Sequence, residues 1–354
     1  MDVLTLATLW LGLALLATLI SHWFKIAIAL TEIFVGILVQ FLIVMFIGGF
    51  ALGSDEPWIK FLSSTGAILL TFLAGAELDP VVFKLKWKEA TAVGLSGFVA
   101  PFLGCTAIVY YCLGWSQQAS LLTGVALFTT SVAVVYAVML ESGLSRTNYG
   151  KTLLAACFIN DLGTVLALGF LFSPFTIKTV IFFVVGLIVF VILPLITPRI
   201  FNYFGEKPSE MEVKYLLFCL FGMGALASWA GSEAVLPAYI IGMVLAGTVG
   251  KNHILIRRLR TMAFGLLTPF YFIRAGSFVS VPALFSGLTT FILLIAAKIL
   301  TKFVGVYPVT KIYKTPNKEA MYTRLLMSTG LTFGSISALF GLNHHIITRV
   351  NIPF

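Results

Sequence analysis

Apolar runs of the length a helix needs to cross a bilayer core, about 20 residues, repeat along the whole chain and are broken by short clusters of Gly, Pro and charge. Twelve such segments fall near 2–21, 27–52, 58–78, 89–114, 118–141, 149–173, 175–197, 212–231, 233–250, 257–279, 284–309 and 318–342. Each is predicted to be a membrane-spanning helix. The first has an acidic start, no basic n-region and no small-residue cleavage site, so it reads as a span and not as a signal peptide.

The segments repeat in order with an offset of seven. The third, TGAILLTFLAGAELDPVVF, resembles the tenth, FGLLTPFYFIRAGSFVSVPAL; TEIFVGILVQ in the second pairs with LPAYIIGMVLAG in the ninth; LLTGVALFTTSVAVVYAVM in the fifth pairs with LLMSTGLTFGSISALFG in the twelfth. An odd offset gives the two copies opposite orientation, the inverted repeat typical of secondary transporters. The seventh segment is left as a linker and the sixth lacks a mate. The pattern therefore predicts a thirteenth helix after Ile346–Phe354, with room for a C-terminal regulatory domain beyond it.

Composition supports lipid as the solvent. The set AVILMFWYC makes up 59%, charged residues 10%, and mean hydropathy is +1.03, where a globular domain carries about 25% charged residues. A net charge of +9 could suggest nucleic acid. However, with the N-terminus outside, 16 Lys and Arg fall in inner loops against Lys60, Lys178 and Arg349 in outer ones. That bias orients the chain and removes the need for a nucleic-acid partner. Cys105, Cys112, Cys157 and Cys219 sit in apolar runs without CxxC spacing and read as small core residues.

Few ionisable groups lie at membrane depth. Asp161 falls at the midpoint of 149–173, and an intramembrane carboxylate is a functional hypothesis by default. Burial disfavours the charged form of a carboxyl, so an acid at this depth can trade a proton for a cation. Asn160, next to it, can add an oxygen ligand or simply bond a neighbouring helix. Lys298 lies mid-span and could neutralise Asp161, carry a second proton or stabilise the bundle, while Lys302, one turn on, is expected to snorkel to the inner surface. Thr129, Thr130 and Ser131 form a polar knot in 118–141. Ser328, Thr329, Gly330, Thr332 and Gly334 form one in its repeat mate. Two knots at matching depth predict interrupted helices whose freed carbonyls suit a hard alkali cation. Arg274 is expected to pair with Glu233; Glu32, Glu77, His344 and His345 read as rim groups.

TEIFVGILV (31–39), FLAGAELDP (72–80), Thr130–Ser131 and the ND pair in CFINDLGTVLALG resemble the monovalent cation–proton antiporters, most closely the Kef-type and NapA-like branch. The resemblance implies an all-α polytopic membrane protein with the inverted-repeat antiporter fold, 118–141 and 318–342 being two interrupted, crossed transmembrane helices. The whole of 1–354 would be one ion-exchanger domain, with 2–52 and 175–250 mainly dimerisation helices and 58–173 and 257–342 mainly the transporting core. It places the ion-binding acid on Asp161, with Asn160, Thr130 and Ser131 beside it, Na⁺ or K⁺ held by Asp161 and Thr130, and Lys298 as the compensating charge. It further implies a homodimer in the inner membrane of a bacterium, elevator-type motion and no cofactor besides the transported Na⁺ or K⁺ and H⁺. Asn where electrogenic relatives have a second Asp points to electroneutral exchange; Lys where electroneutral relatives often have Arg points the other way.

The function expected is therefore cation–proton exchange. A Kef-type gated K⁺ efflux system and a sodium-coupled organic-anion symporter are the alternatives. An enzyme is disfavoured by the lack of a nucleophile–base pair or metal-ligand spacing.

Overall fold

A computed structural model describes residues 2–46, 52–76, 80–172, 176–204, 210–232, 234–279, 281 and 287–330. The helices are α1 (Val3–Phe24), α2 (Ile28–Phe46), α3 (Pro57–Ala76), α4 (Pro80–Leu113), α5 (Gln117–Phe128), α6 (Val132–Glu141), α7 (Asn148–Phe172), α8 (Ile177–Phe204), α9 (Met211–Trp229), α10 (Val235–Leu245), α11 (His253–Met262), α12 (Thr268–Ser277), α13 (Leu288–Ile312) and α14 (Asn317–Met327). Among the described residues eight stretches are long and apolar enough to span a bilayer, with α5 and α6 counted as one. The protein is a multi-pass integral membrane protein.

Every apolar segment of the sequence coincides with a helix or a pair of helices, but two differ in detail. The fourth starts at Pro80 and not near 89, because Pro is preorganised for a first helical turn and Lys86 and Lys88 can reach past the lipid core; at 34 residues α4 is about 51 Å long. The tenth divides into α11 and α12 through a π-helical turn, Ala263–Leu267. The second half of the twelfth segment, with Thr332 and Gly334, lies outside the described residues, as do Glu77, Glu233, His344 and His345.

The inverted repeat is visible in how backbones touch. A Cβ built on Gly36 of α2 would strike the Ile273 carbonyl of α12, and one on Gly276 would strike the Ile33 carbonyl. The same reciprocal contact joins α3 and α10, with Gly75 against the Tyr239 carbonyl and Gly242 against the Phe72 carbonyl. Since α2 is the repeat mate of α10 and α3 that of the α11–α12 segment, the two crossings are images of each other. Small residues allow this approach, which supplies the packing that lipid cannot drive.

These contacts sort the helices into two groups. In one, α2 packs on α12 and α3 on both α10 and α12; in the other, α4 packs on α5, α7 and α13. That grouping cuts across the expected partition, which placed 58–78 and 257–279 with the core: the glycine crossings bind α3 and α12 to α2 and α10 instead. Every residue of α3 from Thr65 to Ala76 is buried, which makes it the central strut of its group.

Gly242→Ala should force α3 and α10 apart at a cost of about 1–3 kcal/mol, seen as a lower melting temperature in detergent. Gly222→Ala, whose Cβ would meet nothing within 4 Å, should melt no lower than the parent.

Candidate functional site

The break between α5 and α6 organises the site. Residues 129–131 are extended, with Thr129 at φ −57°, ψ 149° and Ser131 at φ −115°, ψ 106°. Three successive hydroxyl residues make this possible, because their side chains bond local backbone in place of the helical ladder. Thr129 Oγ1 donates to the Ala126 carbonyl (3.0 Å), and Ser131 caps α6 by accepting from Val134 N (3.5 Å). Thr130 reaches across: its hydroxyl donates to the carbonyl of Met327, the last residue of α14, at 2.9 Å. The helix of the second repeat thus ends against the break in the first, as the two polar knots predict.

Lys302 completes this junction. It is fully buried, and its ammonium donates to Thr130 Oγ1 at 3.1 Å. The expectation that it snorkels to the surface is overturned; α13 packs on α4 through Gly104 and Gly305, which turns this face of α13 inward. Lys298 lies one turn away at the carbonyl end of α5, where a Cβ built on Gly330 would meet its Nζ at 2.6 Å and Thr129 O at 2.8 Å. A cation there complements the negative end of a helix.

Asp161 is buried in α7 and accepts a hydrogen bond from Val132 N, the first amide of α6. Its Oδ1 is buried without a hydrogen-bond partner, and so are both polar atoms of the Asn160 amide. Buried polar atoms are almost always paired, so three unpaired ones on neighbouring residues single out this turn of α7. The two side chains face different ways: Asn160 points to Gly97 of α4, whereas Asp161 borders a cavity of about 10 Å³ shared with Thr71, Val132, Phe158, Val235, Leu236 and Tyr239. That is about the room of one water-sized guest.

Tyr239 and Thr71 were not legible as site residues. Tyr239 stacks on Phe158 (centroids 4.4 Å apart, planes 10°) and its hydroxyl is buried without a hydrogen-bond partner. A Tyr at membrane depth was the available signal. Arg274 is removed from the site. Its Nε donates to the Ser54 carbonyl at 2.8 Å, its Nη2 lies 3.9 Å from Asp55, and its guanidinium covers the Phe278 ring at 4.6 Å. The loop before α3 folds back onto α12 and supplies these contacts; Glu233, the expected partner, lies outside the described residues.

Among the described residues no cluster of three His, Cys, Asp or Glu could hold a resident metal ion. The site instead combines one carboxylate, one hydroxyl and one ammonium, a set able to bind a single proton or a single desolvated monovalent cation.

A family model described as "Sodium/hydrogen exchanger, transmembrane" matches residues 11–354. The chain is 28% identical over 265 residues to "Probable Na(+)/H(+) antiporter 3" of Methanocaldococcus jannaschii, covering 71% of this chain and 67% of that protein. It is 27% identical over 313 residues to "Na(+)/H(+) antiporter" of Enterococcus hirae, covering 81% and 76%. In fold it is similar to the sodium proton antiporter MjNhaP1 of M. jannaschii, with a TM-score of 0.71 at 19% identity over 99% of this chain and 92% of that one.

Thr130→Val should strand the Met327 carbonyl and the Lys302 ammonium, destabilising the protein by about 2–4 kcal/mol. Thermal melting should show the loss, and Thr130→Ser should restore most of it.

Proposed function

The chain belongs to the sodium/hydrogen exchanger family, a family of transporters and not of enzymes, and from that premise we propose that it exchanges Na⁺ for H⁺ across the membrane, the two ions competing for Asp161. The observation that carries the reading is the buried Asp161 Oδ1 without a hydrogen-bond partner, bordering a cavity that admits one small guest. A bare carboxylate there is expensive, and protonation or a bound cation relieves it equally well.

Na⁺ takes Asp161 Oδ1 and the Thr130 hydroxyl as ligands. Lys302 donates to that same hydroxyl, so its positive charge and a bound Na⁺ would repel each other across one oxygen. Asn160 supports the turn from the α4 side, Ser131 keeps the break open by capping α6, and Lys298 steadies the carbonyl end of α5. With one titrating carboxyl, the proton-loaded and Na⁺-loaded forms carry the same charge, which makes the exchange one-for-one and electroneutral.

The moving boundary follows the packing. Asp161 and Phe158 belong to the group built on α4, while Thr71, Val235, Leu236 and Tyr239 belong to the group built on α3. The ion site thus lies on the seam, and sliding one group past the other presents it to each side in turn. Exposed Leu4, Leu15 and Leu19 on α1 suit a homodimer contact or lipid, and the Lys/Arg bias puts the N-terminus outside.

In liposomes with a trapped pH dye, inward-directed Na⁺ should alkalinise an acid interior at a rate unchanged by clamping the membrane potential. Asp161→Asn should abolish the signal. Proton flux that survives in Asp161→Asn contradicts this reading, and a response to K⁺ alone would move the cargo to potassium.

A further inference from the structure

On the face that the Lys/Arg bias assigns to the cytoplasm, the seam between the two helix groups opens into a cavity of about 610 Å³. Arg146 and Lys151, from the turn before α7 and from α7 itself, form one wall. Lys251, His253, Arg257 and Arg260, from the α10–α11 turn and α11, form the other. Ala246, Gly247 and Gly250 provide a floor of bare backbone. The first turn of α11 also opens here, and its N-terminal end adds positive potential.

Three of these cations have no carboxylate partner among the described residues. Arg258, on the outer face of α11, is engaged by Glu210 at 2.9 Å. Among the described residues no carboxylate pairs with Arg146, Lys251 or Arg257. Glu77 and Asp79 follow Ala76, which borders the cavity, and lie outside the described residues. Arg146, Lys251 and Arg257 thus bring three positive charges to the lining without a carboxylate partner among the described residues. Like charges held in one concave wall repel, and guanidinium groups that face each other across a gap suit the tetrahedral oxygens of a phosphate. The volume is that of a small-molecule site, larger than a lone inorganic anion fills.

We propose that this cavity binds a phosphate-bearing anion of two or more negative charges, gripped from both sides of the seam by Arg146 on one wall and by Lys251 and Arg257 on the other. The chemistry is shared by an anionic phospholipid headgroup and by a soluble phosphorylated compound, since basic pockets at the inner membrane surface suit either. Binding is independent of the exchange reading. Its place does matter to that reading: Thr71 beside Asp161 and Ala76 at this cavity are five residues apart on α3, about 7.5 Å.

The test uses the purified full chain, delipidated in a neutral detergent, with binding followed as a thermal shift at matched ionic strength. Inorganic pyrophosphate probes the soluble source and short-chain phosphatidic acid the lipid one. At least one should stabilise the protein saturably, and the one that does names the source. Arg146→Gln and, separately, Lys251→Gln with Arg257→Gln should each weaken binding about tenfold or more without lowering the ligand-free melting temperature, since all three side chains are exposed. If only one wall matters, the bridging is refuted. If neither probe stabilises the protein beyond a chloride control, or both variants bind as the parent does, no such site exists. Sodium flux measured on the same preparations reports separately on the exchange reading.

Discussion

A helix that unwinds at membrane depth frees carbonyls and amides that hydrocarbon cannot satisfy, and the arrangement around residues 129–131 follows from that constraint. Several groups at the junction are met by named partners: Ser131 takes an amide of α6, Asp161 takes another, Thr129 takes the Ala126 carbonyl, and Thr130 bridges to the last carbonyl of α14. Lys302 and Lys298 bring positive charge to the same junction. What distinguishes Asp161 is that this settlement is incomplete. One oxygen is engaged by backbone and the other is buried without a hydrogen-bond partner.

The two helix groups give that unfinished site its use. Glycine crossings lock α2 to α12 and α3 to α10, each the image of the other under the repeat, so that group can behave as a unit. The group around α4 carries the break and the acid. Thr71, Leu236 and Tyr239 face Asp161 across the seam without bonding it, a contact that can be broken and remade, unlike a backbone-to-backbone crossing. The end of the same seam that the Lys/Arg bias assigns to the cytoplasm holds the basic cavity, so both features arise where the groups meet.

Much of this was legible in the sequence because membrane helices announce themselves. The apolar segments, their inverted order and the TTS and STG knots follow from the need to satisfy every backbone group in lipid, and Asp161 stands out as an acid where none is cheap. Less legible was anything decided by helix rotation. Lys298 and Lys302 differ by one turn, and hydrophobicity all round α13 gives no face to choose by; only its packing on α4 puts Lys302 against Thr130. The same holds for Tyr239 and for α3, whose half from Thr65 to Ala76 is buried all round and does not reveal which group it joins. The partner of Arg274 depended on a loop folding back, a tertiary event without a periodic trace.

The central claim is that one carboxyl is shared between Na⁺ and H⁺. Calorimetric titration of the purified protein with Na⁺, repeated in buffers of different ionisation enthalpy, counts the protons released per ion bound. The account predicts that near neutral pH Na⁺ binding displaces protons, approaching one per ion as the pH is lowered, and that Asp161→Asn neither binds Na⁺ nor releases a proton. Sodium binding with no proton released at any pH would contradict it.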